Sequence, residues 1–191
     1  AINLLSIPES LSHVKLIVKS DKIQFNNKEI YYRDILGVSY QATHRSTDTT
    51  YTFNVASQKE TINISLSSFF SSDNDEKAQL FHQLINLTNM IIQPIMIKKI
   101  THCIFDKNEE FEIGKVTFSS EGYFKKSWGE SRPHMVRWSE ALYKAHFDAG
   151  DACLFEDSNG SSVIFERIPL GTYNAIFIPA LVDECYLRAK V

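Results

Sequence analysis

Along these 191 residues the period of the apolar pattern changes from two to 3.6, and it does so twice. Between residues 14 and 66 apolar side chains recur at every second position. Ile23 pairs with Phe25, Val38 with Tyr40 and Ala42, Tyr51 with Phe53 and Val55, and Ile62 with Ile64 and Leu66. Such alternation is the mark of antiparallel strands with one buried side. Asn26-Asn27, between 22–25 and 28–35, reads as a tight turn because Asn tolerates positive φ. The spacing then becomes helical at Phe81, Leu84, Ile85, Thr88, Ile91 and Ile92, a single apolar stripe. Asp73, three residues before Glu76, is the expected N-terminal cap.

The second half repeats this order. Strands are expected over 111–120, 122–126, 134–138, 143–149, 152–157 and 161–169. Turns fall at Glu121-Gly122, Gly150-Asp151 and Ser158-Asn159-Gly160. Ile178, Leu181, Val182 and Cys185 then form a second helical stripe, with Pro179 tolerated in the first turn. Pro94 reads as a break that opens a further helix, since Ile97, Ile100 and Ile104 continue at helical spacing. The expected division is therefore 11–93, a linking helix over 94–106, and 107–191.

Composition excludes several classes of function. The chain is 43% hydrophobic, sufficient for a core, and carries a net charge of −3. Residues 1–93 hold 8 basic and 9 acidic side chains, and residues 94–191 hold 12 and 14. Neither half is basic, so no nucleic acid is expected as a partner. Cys103, Cys153 and Cys185 lie far apart with no Cys-x-x-Cys pair, and the expectation is three buried, reduced thiols. None of the six histidines pairs with another at metal-ligand spacing, so no metal is expected. No strained nucleophile turn, Gly-rich phosphate loop or paired-carboxylate motif occurs, so neither an enzyme nor a cofactor is expected. AINLLSIPES, the first ten residues, lacks the basic start and apolar run of a signal peptide, which gives a cytoplasmic expectation.

Some short motifs go beyond patterning. These are Gly114-Lys115-Val116-Thr117, Glu121-Gly122, Trp138-Ser139-Glu140 and Tyr173-Asn174 in the second half, and Tyr32-Arg33-Asp34-Ile35 in the first. Together with the strands-then-helix order, they resemble poorly characterised bacterial proteins of the pleckstrin-homology-like (PH-like) type, in tandem over about residues 11–190. The resemblance implies an α+β, mainly β, fold class: two partly open antiparallel barrels, each closed by a C-terminal helix. It implies a binding module. Fold analogy alone does not assign activity.

Two surfaces are candidates. The stretch KKSWGESRPHMVRW (125–138) gathers Lys125, Lys126, Arg132 and Arg137 around Trp128 and His134. Trp beside Arg suits a protein interface, because both are enriched at binding hot spots. Trp138 reads as core. The alternative is lipid binding at a membrane surface, through the first-hairpin positions that the resemblance implies: Lys15, Lys19, Lys22 and Lys28, with Arg33. Asp21 and Glu29 dilute this cluster. The leading expectation is a non-catalytic module that binds another protein, as an immunity, neutralising or adaptor protein.

Overall fold

A computed structural model describes residues 2–69, 75–126, 133–140 and 145–190. The chain divides into two compact units, Ala1–Met96 and Ile97–Val191. It is α+β and mainly β, with thirteen strands in four antiparallel sheets among the described residues. No ladder among them closes a sheet into a barrel.

In unit 1, β1 (Leu16–Val18), β2 (Lys22–Phe25) and β3 (Lys28–Tyr31) form one sheet in that order. Asn26, with φ +55°, makes the expected two-residue turn. The strand expected over 28–35 stops at Tyr31. A 3-10 turn, Tyr32–Asp34, then leads into β4 (Ile35–His44), because buried Tyr32 turns inward and donates its hydroxyl to Lys22 O at 2.9 Å. The second sheet is β4, β5 (Asp48–Ser57) and β6 (Thr61–Phe69). Phe53, Val55, Ile62 and Ile64 are buried as the alternation requires, each fully buried side chain being worth about 1.5–3 kcal/mol.

Helix α1 (Glu76–Leu87) follows. Its cap is Asp75, whose side chain accepts from Lys77 N at 3.0 Å. This replaces the expected Asp73, which lies outside the described residues. Leu80, Phe81, Leu84, Thr88 and Ile92 make the buried stripe, while Ile85 and Ile91 are half-buried at its margin.

Pro94 lies in the first turn of a further helix, as expected, but the chain stays helical across it. A wide π turn, Thr88–Ile92, joins α1 directly to α2 (Gln93–Thr101), and a second π turn, His102–Asp106, ends the run. Pro removes a donor and collides with the carbonyl four residues back in an α-helix. Here Gln93 N already bonds to Thr88 O across five residues, so the backbone has widened just before the ring. The division between the units falls inside this run, after Met96.

In unit 2, β7 (Phe111–Ile113), β8 (Val116–Phe118), β9 (Gly122–Lys125) and β10 (Met135–Arg137) form a four-stranded sheet. A three-stranded sheet holds β11 (His146–Asp148), β12 (Asp151–Ser158) and β13 (Ser161–Pro169). Gly122 starts β9, as expected of the 122–126 strand, and lies opposite Arg137. The turn expected at 150–151 sits one residue earlier, with Ala149 and Gly150 both at positive φ. Asn159 and Gly160 supply the positive φ of the expected last hairpin. α3 (Ile178–Arg188) buries all four residues of its stripe, with Pro179 in its first turn. Cys153 and Cys185 are buried. Cys103 is only half-buried, a correction that follows from its place on the closing π turn, where its thiol donates to the exposed Glu109 carboxylate at 3.4 Å.

Candidate interaction surface

The KKSWGESRPHMVRW stretch runs from the end of β9 to the end of β10. Trp128 and Arg132 lie outside the described residues, while Lys125, Lys126, His134 and Arg137 are described. Beneath them is an aromatic cluster. Tyr123 is buried and donates its hydroxyl to Phe155 O. Its ring meets Trp138 and Phe165 edge-on, both at 5.4 Å between centroids. Desolvation holds the Tyr123 phenol well above its ordinary pKa. Trp138 is the core residue expected, its indole N–H donating to Ser119 O at 3.0 Å.

Phe165 reaches this cluster through an irregularity in the β12–β13 ladder. Leu154 opposes Glu166 and Phe155 opposes Ile164, so Phe165 is the extra residue. A bulge of this kind re-aims a side chain. Periodicity does not reveal it.

The basic side chains above are held by the unit's own carboxylates. Lys125 Nζ lies 3.1 Å from Glu166, 3.2 Å from Phe165 O and 4.9 Å above the Phe165 ring. Lys126 Nζ bonds Glu110 at 2.9 Å and Glu112 at 3.0 Å, and these hydrogen bonds raise its pKa. His134 Nε2 is 2.5 Å from Glu156 Oε2. Arg137 is exposed, and its guanidinium has no partner among the described residues. The expected basic patch is thus a mixed-charge surface. Exposed pairs of this kind contribute only about 0–1 kcal/mol each, so they organise the surface more than they stabilise the fold.

Two open depressions border it. One, of about 380 Å³, is lined by His134, Met135, Val136, Glu140, Glu156 and Asp157 among others. The other, of about 420 Å³, is lined by Glu112, Gly114, Lys115, Lys125, Lys126 and Glu166, with Thr117. The first sets three carboxylates and His134 around Met135 and Val136, and the second carries charges of both signs. A small-molecule site is more often concave and mostly apolar.

The structure brings together only part of the lipid-binding set. Lys22 Nζ bonds Glu29 at 2.8 Å and lies 4.9 Å over the Tyr31 ring. That bond raises the Lys22 pKa, and Lys22 followed by Gln24 lowers that of Glu29. Lys28 Nζ turns aside to Thr61 O at 2.8 Å. Arg33 stacks on Tyr31 at 5.3 Å. Lys15 and Lys19 flank the exposed Ile17 on the outward face of the first sheet, continuing the β1 alternation.

Two groupings carried no sequence signal. Arg167 lies 2.8 Å from Asp148 and 3.8 Å from Asp151, above buried Cys153, whose thiol is shifted up chiefly by desolvation. Residues 3–6 are bound by side chains up to 77 positions away. Among the described residues no three His, Cys, Asp or Glu side chains are placed to hold a metal ion. No helix among them is long and apolar enough to cross a membrane. No protein-family model, curated protein or solved structure matches the chain.

Proposed function

We propose that this chain is a non-catalytic, cytoplasmic protein-binding module of tandem PH-like architecture, acting as an adaptor or as an immunity-type neutralising protein. The architectural part is supported by the order of elements in unit 2: four strands, then three, then a helix. The observation that carries the functional part is the mixed-charge surface over β9 and β10. It sets a lattice of Lys125, Lys126, Arg137, Glu112, Glu140, Glu156 and Glu166 around two open depressions. A surface with both signs of charge at fixed spacing, over a rigid aromatic base, suits protein recognition, because complementary charges select the partner and fix its register.

The test is capture of partners from the source organism on immobilised full-length chain. One stoichiometric protein is expected. The triple variant Lys125→Glu, Lys126→Glu, Trp128→Ala is expected to lose it. Retention by the triple variant would remove this surface from consideration, and return of no stoichiometric protein would end the reading.

A second reading has its own observation, the Lys15–Ile17–Lys19 row on β1, an apolar residue between two cations. That row suits an anionic membrane surface. Under the first reading, flotation with vesicles containing acidic lipid leaves the chain in the dense fraction. Salt-sensitive co-flotation would favour the second.

A further inference from the structure

We propose that the outer edge of β1 is a strand-accepting site for an extended segment of another protein, and that residues 3–6 hold its place. This rests on the protein-binding reading but puts the contact in unit 1.

The β1–β2 ladder decides which main-chain groups face outward. Asn26 N bonds Lys15 O at 3.0 Å and Lys19 N bonds Lys22 O at 2.9 Å, so residues 15, 17 and 19 turn their peptide groups toward β2. Leu16 and Val18 therefore present theirs at the free edge. Leu16 N is used locally, by Val14 O at 2.9 Å. The other three are met by residues 3 and 4. Asn3 Nδ2 donates to Leu16 O at 3.2 Å, Val18 N donates to Asn3 Oδ1 at 2.9 Å, and Leu4 N donates to Val18 O at 2.7 Å.

The Asn3 carboxamide offers β1 one C=O and one N–H, which is what a peptide group of an added strand would offer. The segment is not itself a strand. Asn3 Oδ1 also accepts from Leu5 N at 3.1 Å, which folds the backbone into an Asx turn. On its other side Gln83 of α1 clasps the main chain of Ser6, accepting from its N–H at 3.1 Å and donating to its C=O at 3.4 Å. Leu5 is buried, whereas Ile2 and Leu4 remain 86% and 44% exposed.

Hydrogen bonds to β1 main-chain groups and one buried aliphatic side chain thus hold the segment, with the Asn3 carboxamide standing in for a peptide group at the edge. Edge-strand addition uses the same two terms. Lys15 and Lys19, beside the edge, favour acidic residues around the aliphatic one. The fitting partner is an extended segment with an aliphatic residue at the Leu5 position and acidic residues flanking it. Its apparent affinity is lowered by the fraction of time residues 3–6 occupy the edge.

The test uses the full chain and a fluorescein-labelled peptide, DINLLE, with DINLDE as control. Asn3→Ala removes three hydrogen bonds and Gln83→Ala removes two, both at half-exposed side chains, so the fold survives. In fluorescence anisotropy DINLLE is expected to bind each variant at least tenfold more tightly than the unsubstituted chain. DINLDE is expected to gain nothing, and bound DINLLE to slow exchange of the Val18 amide in Asn3→Ala. No gain in either variant, or an equal gain for DINLDE, would make residues 3–6 a permanent cap and overturn the proposal. A two-chain mass for either variant without peptide would make the occupant a second copy, and would also overturn it. A partner captured on the full chain with no response at Asn3 or Gln83 would overturn this site while leaving the protein-binding reading intact.

Discussion

At the scale of the residue, Gly122 has no room for a side chain. A Cβ there would lie on Val136 O and within 2.9 Å of Arg137 Cα, both of them backbone atoms of β10. Relief requires the strand to move, since no flexible side chain can yield. Gly122→Ala is expected to cost about 1–3 kcal/mol, the range of overpacked cores, measurable as a lower denaturant midpoint at unchanged slope. A stability within about 0.5 kcal/mol of the unsubstituted chain would show that β10 can shift. The sequence marks this glycine as half of an acidic-Gly turn and the start of a strand, but not as a close approach. Its role is set by the backbone of a strand more than ten residues later, which no local pattern encodes. Asn26 and Asn159 were readable because a turn is a local event and its φ belongs to the residue itself.

At the scale of the element, the alternation of β5 and the α3 stripe survive contact with the structure because burial on one face is all they require, whereas in β4 Ala42 is exposed and Ser39 buried. Helix ends do not. Asp75 caps α1 through Lys77 N, and a sequence offering Asp73 and Asp75 before Glu76 gives no local reason to choose between them. Asp75→Ala is expected to lower stability by about 1 kcal/mol, with Asp75→Ser recovering most of it, as followed by thermal unfolding. Equal losses in the two variants would assign the effect to something other than the cap. Pro94 opens a helix as read but marks no break, for a related reason. The rule that Pro ends a helix presumes α geometry upstream, and the π turn over Thr88–Ile92 removes that premise. The strap of residues 3–6 is the extreme case. Its turn is local, but its partners at Leu16, Val18 and Gln83 are brought near only by the folded chain.

At the scale of the whole molecule, the two units differ in how they meet alkali. All three cysteines lie in unit 2, and each has a raised pKa; burial pushes Cys185 up to about 12 from an ordinary 9.0. The folded thiol keeps its proton where the unfolded one has lost it. Between pH 9 and 12 the unfolded state therefore binds fewer protons, and stability falls as pH rises. It is fully present below about pH 9 and is lost toward the folded value. In unit 1 the raised groups are Tyr32, Tyr40, Tyr51 and Lys22, whose unfolded ionisation begins only near 10. Unit 2 is expected to lose its fold at lower pH than unit 1. Both tryptophans lie in residues 97–191, so an alkaline titration should change tryptophan fluorescence before far-UV circular dichroism has completed its transition. Coincident curves would contradict this order.

The self-paired cations over β9 and β10 have a further consequence, for the kinetics of encounter. Lys125 and Lys126 each sit within 3.1 Å of a carboxylate of the same unit, so their fields largely cancel within a few ångströms of the surface, and exposed Arg137 stands on the same face as Glu140 and Glu156. A partner approaching that face feels little pull until it touches. Its association rate constant is expected near the unsteered range of about 10⁵–10⁶ M⁻¹s⁻¹, changing less than about threefold between low and physiological salt in stopped-flow mixing. Selectivity at such a face is exerted after contact, by how long a partner stays.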